Sequence, residues 1–337
     1  MQHRHALLAS LALVLTGTLI SEPSNAQPPA ATPTTIRLAT LAPRGSAPYR
    51  VLSAWGNSLR TQSGGQLLLH IETGSDEAAF VRQFQAHQLE AVAVTSVGLS
   101  TLCRPVLVLQ APGVVEDYPQ MDRARAALDT ALRGELSTSG FQLLGWGEAG
   151  RGRIFSSHAV ASPADVAAAH PWQLPGNPIL DEFLGQMHAH GVPLGLAQVL
   201  PALTDGRVDV VMGSATIIDA LQWHTRLTHV IDGSKSLLVG ATLMSRTTYD
   251  ALPAAQRAIL DSTSAQAHVR LLHDIRQNDD RAYATLVSHG MTVTNATAND
   301  AAWNAVAQHA RTALVGRLYS QALLTQAWTA AGHTGAP

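Results

Sequence analysis

Residues 141–178, FQLLGWGEAGRGRIFSSHAVASPADVAAAHPWQLPGNP, pass from an apolar run into a glycine-rich, charged segment and back into strand-like sequence. Phe141-Gln142-Leu143-Leu144 is short enough to be a buried strand. Gly145 to Gly152 then reads as a loop, with glycines that let backbone approach closely and with Trp146, Glu148 and Arg151 beside them. Arg153-Ile154-Phe155-Ser156 predicts a second strand, Ser162-Pro163-Ala164-Asp165 a helix start, and Trp172-Gln173-Leu174 a third short strand. A charged loop among strand ends suits a small-molecule site, because open α/β sheets bind ligands there. The competing reading is a solvated surface loop.

The flanking sequence predicts a layered α/β fold. Ile36 to Leu41 is a β-type run, Tyr49 to Gln62 carries Leu52, Trp55 and Leu59 at helical spacing, and Gln66 to Glu72 alternates as a strand. Asp76 caps a helix over Ala79 to Ala86, and Leu89 to Thr95 completes a β-α-β-α-β opening of the kind that builds parallel sheets. Thr95 and Ser96 end that strand, where backbone donors at a helix start either meet a polar ligand or form an ordinary turn. Val106 to Ala111 reads as a further strand and Tyr118 to Leu132 as a helix. Beyond the opening stretch, Asn177 caps a helix from Pro178 to His190, a short helix covers Val199 to Leu203, and Val208 to Met212 is a buried strand. Ser214 or Thr216 caps the next helix, and Val239 to Met244 reads as a strand. From Pro253 a long helix, broken or bent before His289-Gly290, would turn Ile259, Leu271, Leu272, Ile275 and Leu286 inward, and Trp303 to Leu324 reads as a final helical stretch.

A chain of 337 residues that is 46% hydrophobic has ample length for a core and for two lobes. A formal net charge of −2 without a long run of one sign argues against a nucleic-acid partner. Arg4, the apolar run Ala6 to Ile20 and the small residues Ser24-Asn25-Ala26 form a Sec-type signal-peptide pattern over residues 1–26. The alternative, a retained anchor, is weakened by a run short for a membrane span. Residues 27–35 read as a flexible leader. Cys103 cannot form an internal disulfide, being the chain's single cysteine.

Nothing in the sequence demands catalysis, a metal or a cofactor. There is no nucleophile elbow, phosphate loop or dinucleotide fingerprint. The fifteen histidines read as scattered over the surface, and Asp279-Asp280 as part of a solvated helix face.

The stretch at 141–178 resembles the middle of solute-binding proteins of tripartite ATP-independent periplasmic (TRAP) transporters, in which an Arg-containing strand is followed by Ser-Pro-x-Asp and then by a strand with Arg before Pro. Thr40-Leu41-Ala42-Pro43-Arg44-Gly45-Ser46 is similar to that family's first strand and loop. Val192-Pro193-Leu194 through Asp205-Gly206-Arg207-Val208-Asp209 is similar to its next signature, and Ser245 to Pro253 to its entry into a long C-terminal helix. The four matches run in order over roughly residues 36–290. The resemblance implies a periplasmic-binding-protein-like fold of two α/β lobes with mostly parallel sheets around a cleft. Lobe 1 would span 36–140 with returning segments from 239–337, and lobe 2 would span 141–238. A long helix over 253–290 would brace both, and a C-terminal helix over 299–324 would pack on lobe 1.

The function implied is capture of a small organic solute and its delivery to the membrane permease subunits of the transporter. The rivals are a sensory binding module and a periplasmic hydrolase using Ser96 or Ser214. In the family two arginines meet the solute's carboxylate. Arg153 matches the first position, and Gln173 stands at the second. Met212 to Thr216 stand where the family often carries Glu-Asn. Both departures move the pocket towards neutrality, so the solute would be less dependent on a carboxylate, or be held by Arg153 with Arg44 or Arg151 compensating. Trp146 and Trp172 would either wall the pocket or pack in the core. The candidate ligand-binding set is completed by Glu148, Asn177, Thr95, Ser96, Ser46, Ser214 and Thr216.

Overall fold

Ile36, Leu38 and Ala39 are stripped of all solvent-exposed surface, so β1 (Thr34–Thr40) lies at the heart of a sheet with apolar neighbours on both faces. The computed structural model describes residues 32–233, 235–295 and 297–337, and residues 33–337 pack together as one unit. The signal peptide expected at 1–26 and most of the leader lie outside the described residues, while Thr34 and Thr35 already belong to β1.

The chain continues through α1 (Ala47–Gln62), β2 (Leu67–Thr73), α2 (Glu77–Gln85), β3 (Ala91–Thr95), α3 (Ser96–Leu102) and α4 (Tyr118–Thr138). Next come β4 (Phe141–Ser156), α5 (Pro163–Ala168), β5 (Trp172–Gln173), α6 (Pro178–Gln186), β6 (Val192–Pro193), α7 (Leu196–Thr204), β7 (Val210–Gly213) and α8 (Ala215–Ala220). The remainder is β8 (His229–Asp232), β9 (Ser236–Ser245), α9 (Arg246–Ala251), α10 (Ala254–Ser288), β10 (Thr292–Asn295), α11 (Asp300–Ala313) and α12 (Gln321–Ala331).

The main sheet runs β10-β8-β4-β9-β3-β1-β2, with β7 also on β4. The β-α-β opening produces the expected parallel ladders, β1 with β2 and with β3. The crossover strands add antiparallel ones, β9 against β3 and β4 against β9. Residues 141–152 of β4 pair with β9 in the first lobe's sheet, whereas Arg153 to Ser156 pair with β7 and β8 in the second. The architecture is thus mixed α/β in two lobes, joined by β4 and β9.

One core lies between α1, α10 and the first sheet, and a larger one lies on that sheet's opposite face under α2, α3, α4 and α12. Two further clusters fill the second lobe, one around Phe155, Trp172 and Trp223, the other around Phe183, Val210 and Trp303.

Several sequence expectations need correction, each for a physical reason. Gly145 to Gly152 form no loop, because β4 is an unbroken strand of 16 residues with bulges between Leu143 and Gly145 and between Glu148 and Gly150. Two of the glycines serve close packing against α10: a Cβ on Gly145 would collide with the His268 ring, and one on Gly150 with the Asp279 carboxyl. Val106 to Ala111 were read as a strand, but Arg104–Gln110 is a 3-10 helix with Val106 to Leu109 wholly buried, and short apolar runs do not distinguish the two. The long helix α10 runs through 35 residues without a break, about 50 Å at 1.5 Å per residue, packing on α1 in the first lobe and α8 in the second. The last helical stretch divides, with α11 against α6 and α12 against α4.

The inward face of α10 also differs from expectation. Leu271 and Leu286 are buried, but Thr263, Ser264, His268 and Asp279 share their face. His268, read as a surface histidine, is held between Ser264 O at 2.7 Å and Thr242 Oγ1 at 2.8 Å. Burial, partly opposed by the Ser264 hydrogen bond, keeps its pKa below the ordinary imidazole value. Asp279, read as solvated, has no exposed surface.

Candidate functional site

A cavity of about 460 Å³ opens beside the crossover strands. β4 contributes Arg151 and Arg153, β7 contributes Met212 and Gly213, and the start of β9 contributes Lys235 and Ser236. Gln110, Glu116 and Asp117 close it from the first lobe, while Asn177, Ile179, Leu180 and Phe183 of α6 and its cap wall it from the second. Asp300 and Trp303 of α11 complete the wall. Its size is that of a small organic molecule, and its lining combines apolar surface with a few convergent polar groups, as in ligand sites generally.

Arg153 leans on α10. Its Nη1 donates to Asp279 Oδ2 at 2.8 Å, and its guanidinium carbon lies 4.4 Å from the centre of the Tyr283 ring. Asp279 also accepts from the backbone N–H of Arg151 at 3.1 Å and of Thr216 at 3.2 Å. The second bulge of β4 makes this possible: Gly150 sits at φ +98°, and a Cβ there would lie 2.6 Å from the Asp279 carboxyl carbon. Arg151 reaches Asp280 at 3.9 Å and lies 4.7 Å from the Tyr118 ring. At the far end of the cavity Lys235 Nζ donates to Asp300 at 3.0 Å, Glu116 at 3.1 Å and Asn304 at 2.9 Å. Its partial burial lowers its pKa, but these acidic partners outweigh that and hold it above the ordinary lysine value.

Of the residues singled out from sequence as ligand-binding, Arg153 and Asn177 lie on the cavity wall, as does Arg151, named there as a compensating cation. Asn177 also caps α6, its Oδ1 accepting from Leu180 N at 3.1 Å. The others are placed elsewhere. Trp146 packs in the first-lobe core, and Trp172 packs edge-on to Trp223 and donates to Leu194 O. Glu148 is locked between Arg125 at 2.6 Å and Arg276 at 2.8 Å. Gln173 donates to Asp181 at 2.8 Å. Arg44 is exposed beside Tyr49, and Ser46 caps α1. Ser214 caps α8 and is fully buried, and Thr216 faces Asp279 through its backbone N–H.

Thr95 and Ser96 open α3, where the donors already have an acceptor of the protein's own. Glu77 takes hydrogen bonds from Thr95 N at 2.5 Å, Thr95 Oγ1 at 2.8 Å and Gly98 N at 3.2 Å. Burial pushes the Glu77 carboxyl above its ordinary pKa, and these three donors only partly offset it. Among the described residues neither Ser96 nor Ser214 hydrogen-bonds a histidine.

Sequence reasoning missed Asp279, Lys235 and the α6 side chains as parts of this wall and its support, whereas Met212, read as part of the neutralised pocket, does line it. For Asp279 a signal existed: Ser264, His268, Leu271, Ile275, Asp279, Tyr283 and Leu286 follow one another at steps of three or four, a helix face defined by spacing rather than apolarity.

The overall shape is shared with known structures. A TRAP periplasmic solute-binding protein from Desulfovibrio desulfuricans, solved with bound sn-glycerol-3-phosphate, superimposes with a TM-score of 0.80 at 16% identity, covering 90% of this chain and 99% of that one. An extracytoplasmic solute receptor of Bordetella pertussis that binds pyroglutamic acid gives a TM-score of 0.79 at 15% identity, over 88% of this chain and 99% of its own. At these identities the likeness is one of fold. In sequence, a protein of Verminephrobacter eiseniae named solute-binding protein is 31% identical over 185 residues, 50% of this chain, and the match spans about half of that relative, 52% of its length. Residues 38–314 match the model of bacterial extracellular solute-binding protein family 7, and the chain belongs to that family.

Proposed function

We propose that the chain is the extracytoplasmic solute-binding subunit of a TRAP-type secondary transporter. It is exported through its N-terminal signal peptide, captures a small organic solute between the lobes, and presents it to membrane permease subunits. The observation that carries this reading is the cavity of about 460 Å³ walled by both lobes and by the strands that join them, with Arg153 on its surface. A ligand touching both lobes binds best when they are closed, and so shifts the population towards that state. β4 and α10 run through both lobes, β9 carries the chain from β8 of the second lobe back into the first lobe's sheet, and these three would define the hinge. Family membership and the ligand-bound neighbours support solute binding rather than turnover.

The test is a thermal-shift screen of the full chain, purified from the periplasm, against small organic acids, amides, polyols and heterocycles. The expected result is a concentration-dependent rise in Tm with at least one compound, since a ligand that binds only the folded state stabilises it by RT ln(1 + [L]/Kd). No shift with any compound, and no small molecule co-purifying, would refute the proposal.

A further inference from the structure

The cavity carries a guanidinium whose charge is already met from within the protein, and this bears on which solute it accepts. Asp279 has no exposed surface, yet Arg153 Nη1, Arg151 N and Thr216 N converge on its carboxylate at 2.8, 3.1 and 3.2 Å. Two strand positions and a helix start thus aim donors at one anion, the arrangement by which proteins hold a ligand carboxylate. The strand is shaped for that occupant: Gly150 adopts φ +98°, and a Cβ there would lie 2.6 Å from the Asp279 carboxyl and 2.9 Å from Ser214 Cβ. An incoming carboxylate at Arg153 would meet the Asp279 charge behind the same guanidinium, in a setting where like charges repel strongly.

The rest of the lining does not restore a positive field. The lining holds three cations, Arg151, Arg153 and Lys235, and three carboxylates, Glu116, Asp117 and Asp300. Lys235 is bound to two of those acids. Gln173, which could have supplied a second donor, is not on the wall and is held by Asp181. Between the charged ends, Ile179, Leu180, Phe183, Ile231 and Trp303 form an apolar flank.

We propose that Asp279 is the specificity-determining residue of this cavity. It occupies the anion position on Arg153, and the solute is a small molecule with an apolar body and an uncharged polar head, such as a carboxamide, lactam or alcohol. The inference rests on the solute-binding reading above. Arg153 remains a ligand contact through hydrogen bonding to a neutral acceptor, while Asp279, one side chain back, sets the charge that acceptor can carry.

The experiment uses matched pairs of carboxylic acids and their carboxamides, pyroglutamic acid and pyroglutamamide among them, screened by thermal shift and titrated calorimetrically against the full chain. In the wild-type protein the amides are expected to give the hits, with each matching acid weaker by about tenfold or more, since it brings a charge that Asp279 opposes. In Asp279→Asn, whose single amide oxygen can still accept from the Arg151 side or from Thr216 N but not from both, the order is expected to reverse towards the acids. Acids binding the wild type as well as or better than their amides would overturn the proposal while leaving solute binding intact. No hit of either kind would overturn both. Because the wild-type comparison stands alone, the test survives a variant that fails to fold.

Discussion

Two buried ion clusters lie along β4, built with opposite polarity. Near the strand's middle Glu148 is the strand's charge, and helices bring the arginines: Arg125 from α4 and Arg276 from α10, the latter also forked onto Asp122 at 2.6 and 2.8 Å. Five residues on, Arg153 is the strand's charge and α10 brings the acid, Asp279. The first cluster is away from the cavity and the second fronts it. In the first, Arg125 is packed so deeply that burial lowers its pKa despite Glu148, whereas the opposing charges and hydrogen bonds of Glu148 and Asp122 overcome burial and raise that of Arg276. The difference teaches a division of labour: the Glu148 cluster fixes α4 and α10 to the strand, and the Arg153 pair, with one side on the cavity, adjusts what the cavity can hold.

That contrast makes its strongest prediction at Glu148. Glu148→Ala leaves Arg125 buried without its carboxylate, and removing one partner of a buried pair costs about 3–5 kcal/mol. Urea unfolding monitored by circular dichroism would show it as a fall in midpoint with little change in slope. A loss under about 1 kcal/mol, the range of an exposed pair, would mean that the cluster is not the clamp described.

Gly150→Ala should come next. A side chain at φ +98° is strained by about 1–3 kcal/mol, and its Cβ would push against Asp279 and Ser214. The expected outcome is a lower Tm together with weakened ligand stabilisation, since the carboxylate that sets the cavity's charge is displaced. A variant with lower Tm but unaltered ligand response would separate the bulge from the cavity.

These two positions show how far the sequence could be read. The opening β-α-β-α-β order, the caps at Asp76, Ser162 and Asn177, and the strands at 153 and 239 were legible because periodicity and capping are local signals. The glycines of β4 were not. Glycine-rich, charged sequence reads as loop unless one knows that a helix lies across it, and that helix comes more than a hundred residues later. Asp279 was hidden for the same reason: a carboxylate on a helix reads as solvated until its partner Arg153 is brought alongside. Arg153 could be singled out because it matches the family's first carboxylate-binding arginine, and Asn177 because it caps a helix just after the charged stretch, whereas the α6 flank of Ile179 and Phe183 read only as helix core.

Glu77 gives a third contrast, a half-buried carboxylate that accepts from two backbone N–H groups and the Thr95 hydroxyl, with no arginine among its described hydrogen-bond partners. Its folded pKa lies above the ordinary 4.5, so the folded protein binds the proton more tightly and stability from this group falls as pH rises through and above 4.5. Glu77→Gln removes that dependence. The stability of the variant relative to wild type should therefore climb as pH is raised from 4 through the folded pKa and then level off, measured by urea midpoints across a pH series. A difference that declines over that window would contradict the assignment.

The smallest effect is expected at Lys235, whose ion pairs with Glu116 and the half-exposed Asp300 are reached by solvent. Lys235→Met should change stability by about 1 kcal/mol or less and lose even that in high salt. A larger loss would move Lys235 into the class of the β4 clusters.

The central claim, that Arg153 and its internal counter-ion form the working face of the cavity, is tested most directly by removing the pair together. Arg153→Met/Asp279→Asn orphans no charge and keeps an amide oxygen for one of the two backbone donors, Arg151 N or Thr216 N, so the fold should survive with a cooperative melt lowered by the loss of the other hydrogen bond. Calorimetric titration of wild type and double variant with the compound that most raises the wild-type Tm gives the decision. The account predicts that the double variant melts cooperatively yet binds that compound at least about tenfold more weakly; unchanged affinity in a well-folded double variant would contradict it.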